Sequence, residues 1–204
     1  MDRLLQDLRF GARLLWKDRS FSLTTIATLA LCLAANVAIF AVVDGVLLKP
    51  LPFPEPDRLI RIFNKYPGVG VNAEGSNGVP DYFDRRRDMT ALEETALFRE
   101  AGVTLSGAGF AEAQRVQAMI VTPSFFRVLQ TPPLRGQMFT EQQGELGQEK
   151  VVILTHGFWQ RTLAGRDDAI GQDLRLSGEP YKIVGVLPPA FVFLNPEIQL
   201  FRPA

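Results

Sequence analysis

The sequence predicts an α+β protein in which one transmembrane helix, preceded by an amphipathic helix, is followed by a two-lobed mixed α+β domain. Residues 21–43 carry no charge, and residues 1–20 repeat apolar and basic positions with helical spacing. Residues 49–204 mix short strand-like and helix-like patterns with glycine and proline between them. We therefore expect an amphipathic helix at 1–20, a transmembrane helix at 21–48 and an outer domain at 49–204.

The transmembrane helix is predicted from its length and its lack of charge. A helix over residues 21–43 rises about 34 Å, and the hydrocarbon core of a bilayer is about 30 Å thick. Its hydroxyl side chains can donate hydrogen bonds to the preceding helical turn, which makes them tolerable in lipid. They belong to Ser22, Thr24, Thr25 and Thr28. Asn36 is expected to pair with a neighbouring helix, and Ser20 is expected to be the N-cap.

A cleavable signal peptide is the main alternative for this segment. Such a peptide has a shorter apolar core, followed by small residues in an A-x-A-like pattern. Residues 21–43 are too long for that core, and no convincing cleavage site follows them. Leu31 is too bulky for the lipobox position before Cys32, so Cys32 is expected to be a packing residue within the span.

The first 20 residues form the predicted amphipathic helix. One arc of the helix contains Leu4, Leu5, Leu8, Ala12, Leu15 and Trp16, and the opposite arc contains Asp2, Arg3, Arg9, Arg13 and Lys17. This pattern is typical of a helix that lies in the headgroup layer, with Trp16 near the interface. Five basic residues precede the span, so we expect a cytoplasmic amino terminus and an outer domain beyond the membrane.

The first part of the outer domain begins with a proline-rich exit from the membrane. Residues 50–56 contain four prolines, which exclude a helix and stiffen the chain. A first strand is predicted at residues 58–63, and a glycine-rich loop at residues 66–78. Residues 80–88 are predicted to form a short helix whose run of charges is a solvated face. The first lobe is expected to combine residues 58–63 with later strands.

The remaining elements follow from alternation, apolar runs and turn residues. We predict strands at 92–98, 103–105, 112–121, 151–155 and 198–201, a hairpin of 171–177 with 180–187, and helices at 123–129, with Thr122 as cap, and 156–163. The strand at 151–155 is a continuous apolar run, which indicates burial on both faces. The second lobe is expected to be built around residues 151–187.

The sequence gives no positive sign of catalysis or of cofactor or metal binding. The formal net charge is zero, so no global basic field favours nucleic acid. His156, the single histidine, falls at a strand-to-helix junction, where a capping or hydrogen-bonding role is the default. Residues 68–70 lack the full spacing of a phosphate loop, and Glu141, Glu145 and Glu149 lack a calcium-loop pattern. We therefore predict no catalytic, cofactor-binding or metal residues.

Several segments, in this order, resemble MacB/FtsX-type ABC transporter permeases. The segments are residues 7–13, 28–31, 35–40, 44–53, 80–82, 151–159 and 178–189. The combination is most similar to the duplicated permeases without an ATPase domain that are typical of acidobacteria. The likeness extends over nearly the whole chain and is specific as a combination, although each segment alone is weak.

The resemblance implies a type VII ABC architecture with four spanning helices and a large periplasmic domain between the first and second. A separate or fused cytoplasmic ATPase drives motions of a permease dimer, and these act as mechanical work in the periplasm. Substrates in the family include drugs, peptides and lipoproteins. For this chain the implied partners are the lipid bilayer, an ATP-binding subunit that is contacted through permease regions missing here, and a second permease subunit, with no nucleic acid, in the bacterial inner membrane.

The sequence departs from that architecture in its number of spans. Only the first spanning helix is present, and the chain stops inside or just after the periplasmic core. We therefore expect a fragment of a longer permease or a truncated gene product. Two alternatives remain open: a single-pass anchored periplasmic binding or sensor domain, and an anchored enzyme that uses paired carboxylates in a cleft.

Overall fold

A computed structural model describes residues 6, 10, 16–45, 51–66, 71–107 and 112–204, with the side chains of 66 and 71–74 left aside. The chain divides into two compact units, Met1–Pro50 and Leu51–Ala204. Most of the predicted amphipathic helix at 1–20 lies outside the described residues. So do the last residues of the predicted span and the phosphate-loop-like residues 68–70.

The first unit contains one long helix, α1 (Arg19–Val43), which by length and composition can cross a membrane. Its N-cap is Asp18 rather than the predicted Ser20, because the helix begins one residue before Ser20. The hydroxyls of three threonines donate to carbonyl oxygens four residues earlier, as expected. These are Thr24, Thr25 and Thr28, at 2.8, 2.9 and 2.9 Å. The Asn36 amide also donates within the helix, to the Cys32 carbonyl oxygen at 2.9 Å.

The second unit begins with a small sheet and a helix. Strands β1 (Asn64–Tyr66) and β2 (Val71–Gly75) pair antiparallel, and helix α2 (Val79–Asp88) follows them. The predicted strand at 58–63 is wrong: residues 56–58 form a 3-10 turn, and residues 59–63, all described, form no strand. A strand needs a pairing partner as well as a β-prone sequence, and β2 pairs with residues 64–66 instead.

The described residues contain seven further strands and two further α-helices. The strands are β3 (Phe98–Ser106), β4 (Gln114–Val121), β5 (Arg135–Gly136), β6 (Val151–Leu154), β7 (Asp173–Leu176), β8 (Glu179–Val186) and β9 (Ile198–Pro203). The helices are α3 (Phe125–Val128) and α4 (His156–Leu163). The α+β class is confirmed. The predicted strand at 92–98 is wrong over 92–97, because β3 begins only at Phe98.

The larger sheet closes on itself. Within the described residues, β3 pairs with β4, β4 with β9, β9 with β6, β6 with β8, β8 with β7, and β7 again with β3. These six strands form a small barrel, with β5 added beside β8. The β7–β8 hairpin turns at Ser177 and Gly178, whose φ angles of 49° and 89° match the type I′ turn that short hairpins prefer.

Two apolar clusters cover the two faces of this sheet. In β6, Val152 and Leu154 belong to one cluster, and Val151 and Ile153 to the other. The first cluster takes side chains from all six strands of the ring, so it fills the barrel, and α4 packs Phe158 and Trp159 against it. The second lies outside the barrel under α3. Its helix is capped at Ser124 rather than at the predicted Thr122.

Candidate functional site

A cleft of about 1200 Å³ opens in the second unit and is the candidate functional site. It lies between residues 51–58, which we call the exit segment, and the second apolar cluster, which lies outside the barrel under α3. Its walls come from the exit segment, residues 59–63, α2, residues 91–99, α3 and residues 192–194. These segments are far apart in the sequence, so only the tertiary fold brings them together.

The floor of the cleft is aromatic, and the exit segment contributes to it. Phe53 is 9% exposed and its ring centroid lies 6.2 Å from that of Phe191 and 6.1 Å from that of Phe193. The Phe193 ring meets Phe98 and Phe125 edge to face, at 5.0 and 4.9 Å. Edge-to-face pairs of this kind stabilise a fold by more than the burial of their apolar surface alone. The exit segment is therefore anchored in the core of the second unit.

Charged side chains fix the exit segment at the rim. Glu55 accepts hydrogen bonds from Gln130 Nε2 at 3.1 Å and from Arg58 at 2.8 Å, and Arg58 also contacts Glu93 at 2.6 Å. The Gln130 hydrogen bond, followed by Arg58, lowers the pKa of Glu55. These groups are exposed, so the pairs orient the segment more than they stabilise the fold.

The carboxylate of Asp81 joins the small sheet to α2. Asp81 Oδ2 accepts from the Gly78 backbone N–H at 2.9 Å and from Asn64 Nδ2 at 2.6 Å. The Gly78 bond satisfies one of the free amides at the start of the helix. Both hydrogen bonds lower the pKa of Asp81, with the Gly78 contribution the larger. The carboxylate therefore positions the first turn of α2 against β1.

Arg85 completes this polar network. Its guanidinium donates to Asn77 Oδ1 at 2.5 Å and to Asn64 Oδ1, and Asn77 Nδ2 donates to the Ile62 carbonyl oxygen at 2.6 Å. The charge run of α2 was predicted to be a solvated face. That prediction fits Arg87, which is exposed and pairs with Asp84 and Asp88, but it does not fit Arg85. The spacing of four residues between Asp81 and Arg85 places both on one helix face. That spacing is the one sequence feature that could have indicated the polar network.

On the opposite wall, Arg127 and two hydroxyls hold residues 94–97 beside α3. Arg127 contacts Glu94 at 3.4 Å and also pairs with Glu141, whose hydrogen bond raises the pKa of the guanidinium. Ser124 Oγ donates to the Thr95 carbonyl oxygen at 2.6 Å, and Thr122 Oγ1 accepts from the Leu97 N–H at 3.0 Å. An apolar floor with a charged rim suits the noncovalent binding of an amphipathic group.

The residues weighed from sequence lie outside the cleft or at its margin. His156 is the first residue of α4, and the hydroxyl of Thr155 caps that helix. The ring centroid of His156 lies 5.5 Å from that of Trp159. Glu141 pairs with Arg127, and a buried oxygen of Glu149 has no hydrogen-bond partner in the described part of the chain. Among the residues that the structure describes, no group of three His, Cys, Asp or Glu side chains is arranged to hold a metal ion.

Comparison with known proteins gives a family match and similar folds. The family model described as the MacB-like periplasmic core domain matches residues 22–202. The crystal structure of the periplasmic region of MacB from Actinobacillus actinomycetemcomitans is similar, with a TM-score of 0.53 and 13% identity. The match covers 69% of this chain and 61% of that one, so this chain spans under two thirds of that relative.

A second similar structure is the extracellular domain of the noncanonic ABC-type transporter YknZ from Gram-positive bacteria. It has a TM-score of 0.48 and 14% identity, and the match covers 60% of each chain. No curated protein sequence shows a significant match. At 13% identity, the similarity to the MacB periplasmic region concerns the fold alone.

Proposed function

The chain belongs to the family of the MacB-like periplasmic core domain, and from this premise we propose that it is the permease subunit of an ABC-type transporter, or the amino-terminal part of one. The observation that carries the proposal is the extent of the family match, which begins at residue 22 within α1 and ends at residue 202 within β9. One candidate membrane helix followed by a periplasmic core domain is the order that the resemblance implies for the start of such a permease.

In this proposal, α1 anchors the chain in the inner membrane and the second unit lies in the periplasm. A partner subunit hydrolyses ATP in the cytoplasm and moves the permease, which associates with a second permease subunit. Motion passes through the exit segment to the outer domain as mechanical work. This transmission requires two discrete arrangements of the linked elements.

The anchoring of the exit segment supports this role. The ring of Phe53 is buried in the aromatic floor, and Glu55 and Arg58 tie the same segment to Gln130 and Glu93. A segment that was loose at this point would absorb a displacement in its own backbone dihedrals. A segment fixed by buried packing instead moves its packed neighbours, because interiors have low compressibility.

Photo-crosslinking in native membranes tests the proposal. A photoreactive amino acid at Gln6 or Phe10, on the expected cytoplasmic side, is expected to capture a protein with a nucleotide-binding P-loop. The same amino acid at Gln148, in the outer domain, is the control and is expected not to capture it. Absence of a P-loop protein from the Gln6 and Phe10 products, with other products present, would contradict the coupling to an ATPase.

The cleft favours a second candidate, an anchored periplasmic binding or sensor domain. Its apolar floor and charged rim are the features of a ligand site. The two functions differ in their partners, because a sensor needs no ATP-binding subunit. The same crosslinking experiment therefore separates them: a sensor predicts no P-loop protein at Gln6 or Phe10.

A further inference from the structure

The charged side chains that line the cleft leave an excess of positive charge. Within the described part of the chain, the lining contains five arginines and three glutamates. The glutamates are already paired: Glu55 and Glu93 with Arg58, and Glu94 with Arg127. An excess of one sign in a cleft raises the local concentration of ligands of the opposite sign. The cleft therefore favours an anionic ligand.

Arg61 lines the cleft and is held there by aromatic rings. Its guanidinium carbon lies 4.5 Å from the ring centroid of Phe63 and 5.4 Å from that of Phe98. These cation–π contacts act through the face of the guanidinium, and its five N–H donors lie in the guanidinium plane. Among the described residues, no carboxylate lies within ion-pair distance of Arg61 or of Arg99, which also lines the cleft. The Arg61 donors therefore suit a phosphate or carboxylate, which arginine binds through two parallel hydrogen bonds.

An apolar surface continues from Arg61 into the cleft. The Phe98 ring meets the Phe193 ring edge to face at 5.0 Å, and the Phe193 ring lies 6.1 Å from that of Phe53. Four more large apolar side chains line the cleft and are exposed, namely Leu51, Ile60, Val192 and Leu194. Exposed apolar side chains gathered in one cleft are typical of a ligand-binding groove. A ligand that complements this cleft therefore combines an anionic group with an apolar chain.

We propose that the cleft binds an amphiphile with an anionic head and an alkyl chain, of the class of alkyl phosphates and fatty acids. Arg61 binds the head through paired hydrogen bonds, and Arg99 adds to the positive potential that attracts it. The alkyl chain lies along Phe98 and Phe193 toward Phe53. Affinity rises with chain length, because each added methylene removes more apolar surface from water.

The charge of the cleft disfavours the opposite class of amphiphile. A cationic head would lie beside the guanidinium of Arg61 and would find the three glutamates of the lining already paired. A neutral head could accept hydrogen bonds from Arg61, but a bond between an arginine and an anion is stronger because both partners are charged. Preference for an anionic over a cationic head is therefore the distinguishing property of this site.

This inference names the ligand class of the cleft, and it rests on the second candidate function proposed above, in which the cleft is a ligand site. A ligand of another class in the cleft would contradict the inference and leave that function standing. Neither depends on coupling to an ATPase, on which the crosslinking at Gln6 and Phe10 reports.

Photolabelling of the full chain in phosphatidylcholine nanodiscs tests the proposal. The probe is octyl phosphate with a photoreactive diazirine near the end of its chain. We expect the label within residues 51–63, at Phe98 and within residues 192–194, and we expect an excess of unmodified octyl phosphate to prevent it. Label on α1 without label on these residues would overturn the proposal.

Two competitors of matched structure separate the head from the chain. Octyltrimethylammonium has the same chain with a cationic head, and butyl phosphate has the same head with half the chain. Each is expected to prevent labelling only at a concentration at least tenfold higher than that of octyl phosphate. Equal competition by octyltrimethylammonium would overturn the preference for an anion, and equal competition by butyl phosphate would overturn the role of the aromatic floor.

Arg61→Gln tests the residue that binds the head. The variant is expected to bind octyl phosphate at least fivefold more weakly, with little change in its urea unfolding midpoint, because Arg61 is exposed. Arg161→Gln is the matched control, since Arg161 is also exposed but lies on α4, outside the cleft. Equal effects of the two variants would overturn the assignment of Arg61.

The anionic head group of a membrane lipid is a second source of the same chemistry. Nanodiscs in which phosphatidylglycerol replaces part of the phosphatidylcholine distinguish the two sources. Loss of probe labelling from the cleft in these discs supports the site with a membrane lipid as its ligand. Unchanged labelling supports the site with a soluble amphiphile as its ligand.

Discussion

The ring of Phe53 packs against the ring of Phe193, with centroids 6.1 Å apart. Phe53 follows the end of α1 by ten residues, whereas Phe193 lies near the carboxyl end of the chain. The contact therefore ties the exit segment, which follows α1 in the sequence, to the last part of the second unit, and its contribution to the free energy of unfolding can be measured.

Replacement of Phe53 by alanine is expected to destabilise the second unit by about 3 kcal/mol, because a buried aromatic ring leaves a cavity. Urea unfolding in detergent, followed by Trp159 fluorescence in a Trp16→Phe background, measures the change. Leu51→Ala is the control, since Leu51 is 54% exposed and its loss is expected to cost under about 0.5 kcal/mol. Equal effects would contradict the anchoring of the exit segment.

Replacement of Gly136 by alanine is expected to be severely destabilising, by more than about 3 kcal/mol. Gly136 has a φ of +78°, and an added Cβ would be 2.1 Å from the Val184 carbonyl oxygen. Gly147→Ala is the control for the cost of a positive φ alone, because Gly147 has a similar φ of +88° but no atom of the described residues near the position of an added Cβ. That control is expected to cost about 1 kcal/mol. Thermal unfolding of both variants measures the cost of the steric clash with β8, and equal losses of stability would contradict the close approach of β5 to β8.

Stability is expected to fall in acid partly through Asp81. Its hydrogen bonds lower its pKa below that of the unfolded chain, about 3.9. The stabilisation is therefore complete above about pH 5 and is lost as the pH falls through the folded-state pKa. Unfolding measured from pH 6 to pH 2 is expected to show a smaller acid loss for Asp81→Asn. Asp84→Asn, on the exposed side of α2, serves as control, and identical profiles for Asp81→Asn and the unchanged protein would refute this role.

Arg85→Lys is expected to loosen the β1–β2 hairpin by about 1 kcal/mol, because one ammonium group does not reproduce the fork that joins Asn77 and Asn64. Hydrogen exchange of the β1 and β2 amides measures the change. Arg87→Lys keeps its exposed ion pairs and is expected to behave like the unchanged protein. A faster exchange in Arg87→Lys than in Arg85→Lys would contradict the network.

Membrane orientation is tested by cysteine labelling in a Cys32→Ala background. A membrane-impermeant maleimide is expected to label Gln148→Cys in cells with a permeable outer membrane. It is expected to label Lys17→Cys only after the inner membrane is opened. Both expectations follow from the excess of basic residues before α1. The reverse labelling pattern would place the outer domain in the cytoplasm and exclude the proposed arrangement.

The sequence was sufficient where a local signal is complete in itself. An uncharged stretch of helical length predicted α1, the apolar run at 151–155 predicted β6, and the turn residues between 171–177 and 180–187 predicted the hairpin. In each case the deciding property belongs to adjacent residues: length, burial on both faces, or a backbone with positive φ. The polar network of Arg85 had only a weak signal, because its partners lie in another element.

Tertiary structure decided the rest. Residues 58–63 have the composition of a strand, yet strand formation depends on a partner at the right distance and register, and no local pattern specifies one. The closure of the barrel and the cleft have the same origin, since both join segments that are far apart in the chain. Local sequence fixes dihedral preferences and side-chain periodicity, whereas pairing over long separations depends on the free energy of burying all the segments together.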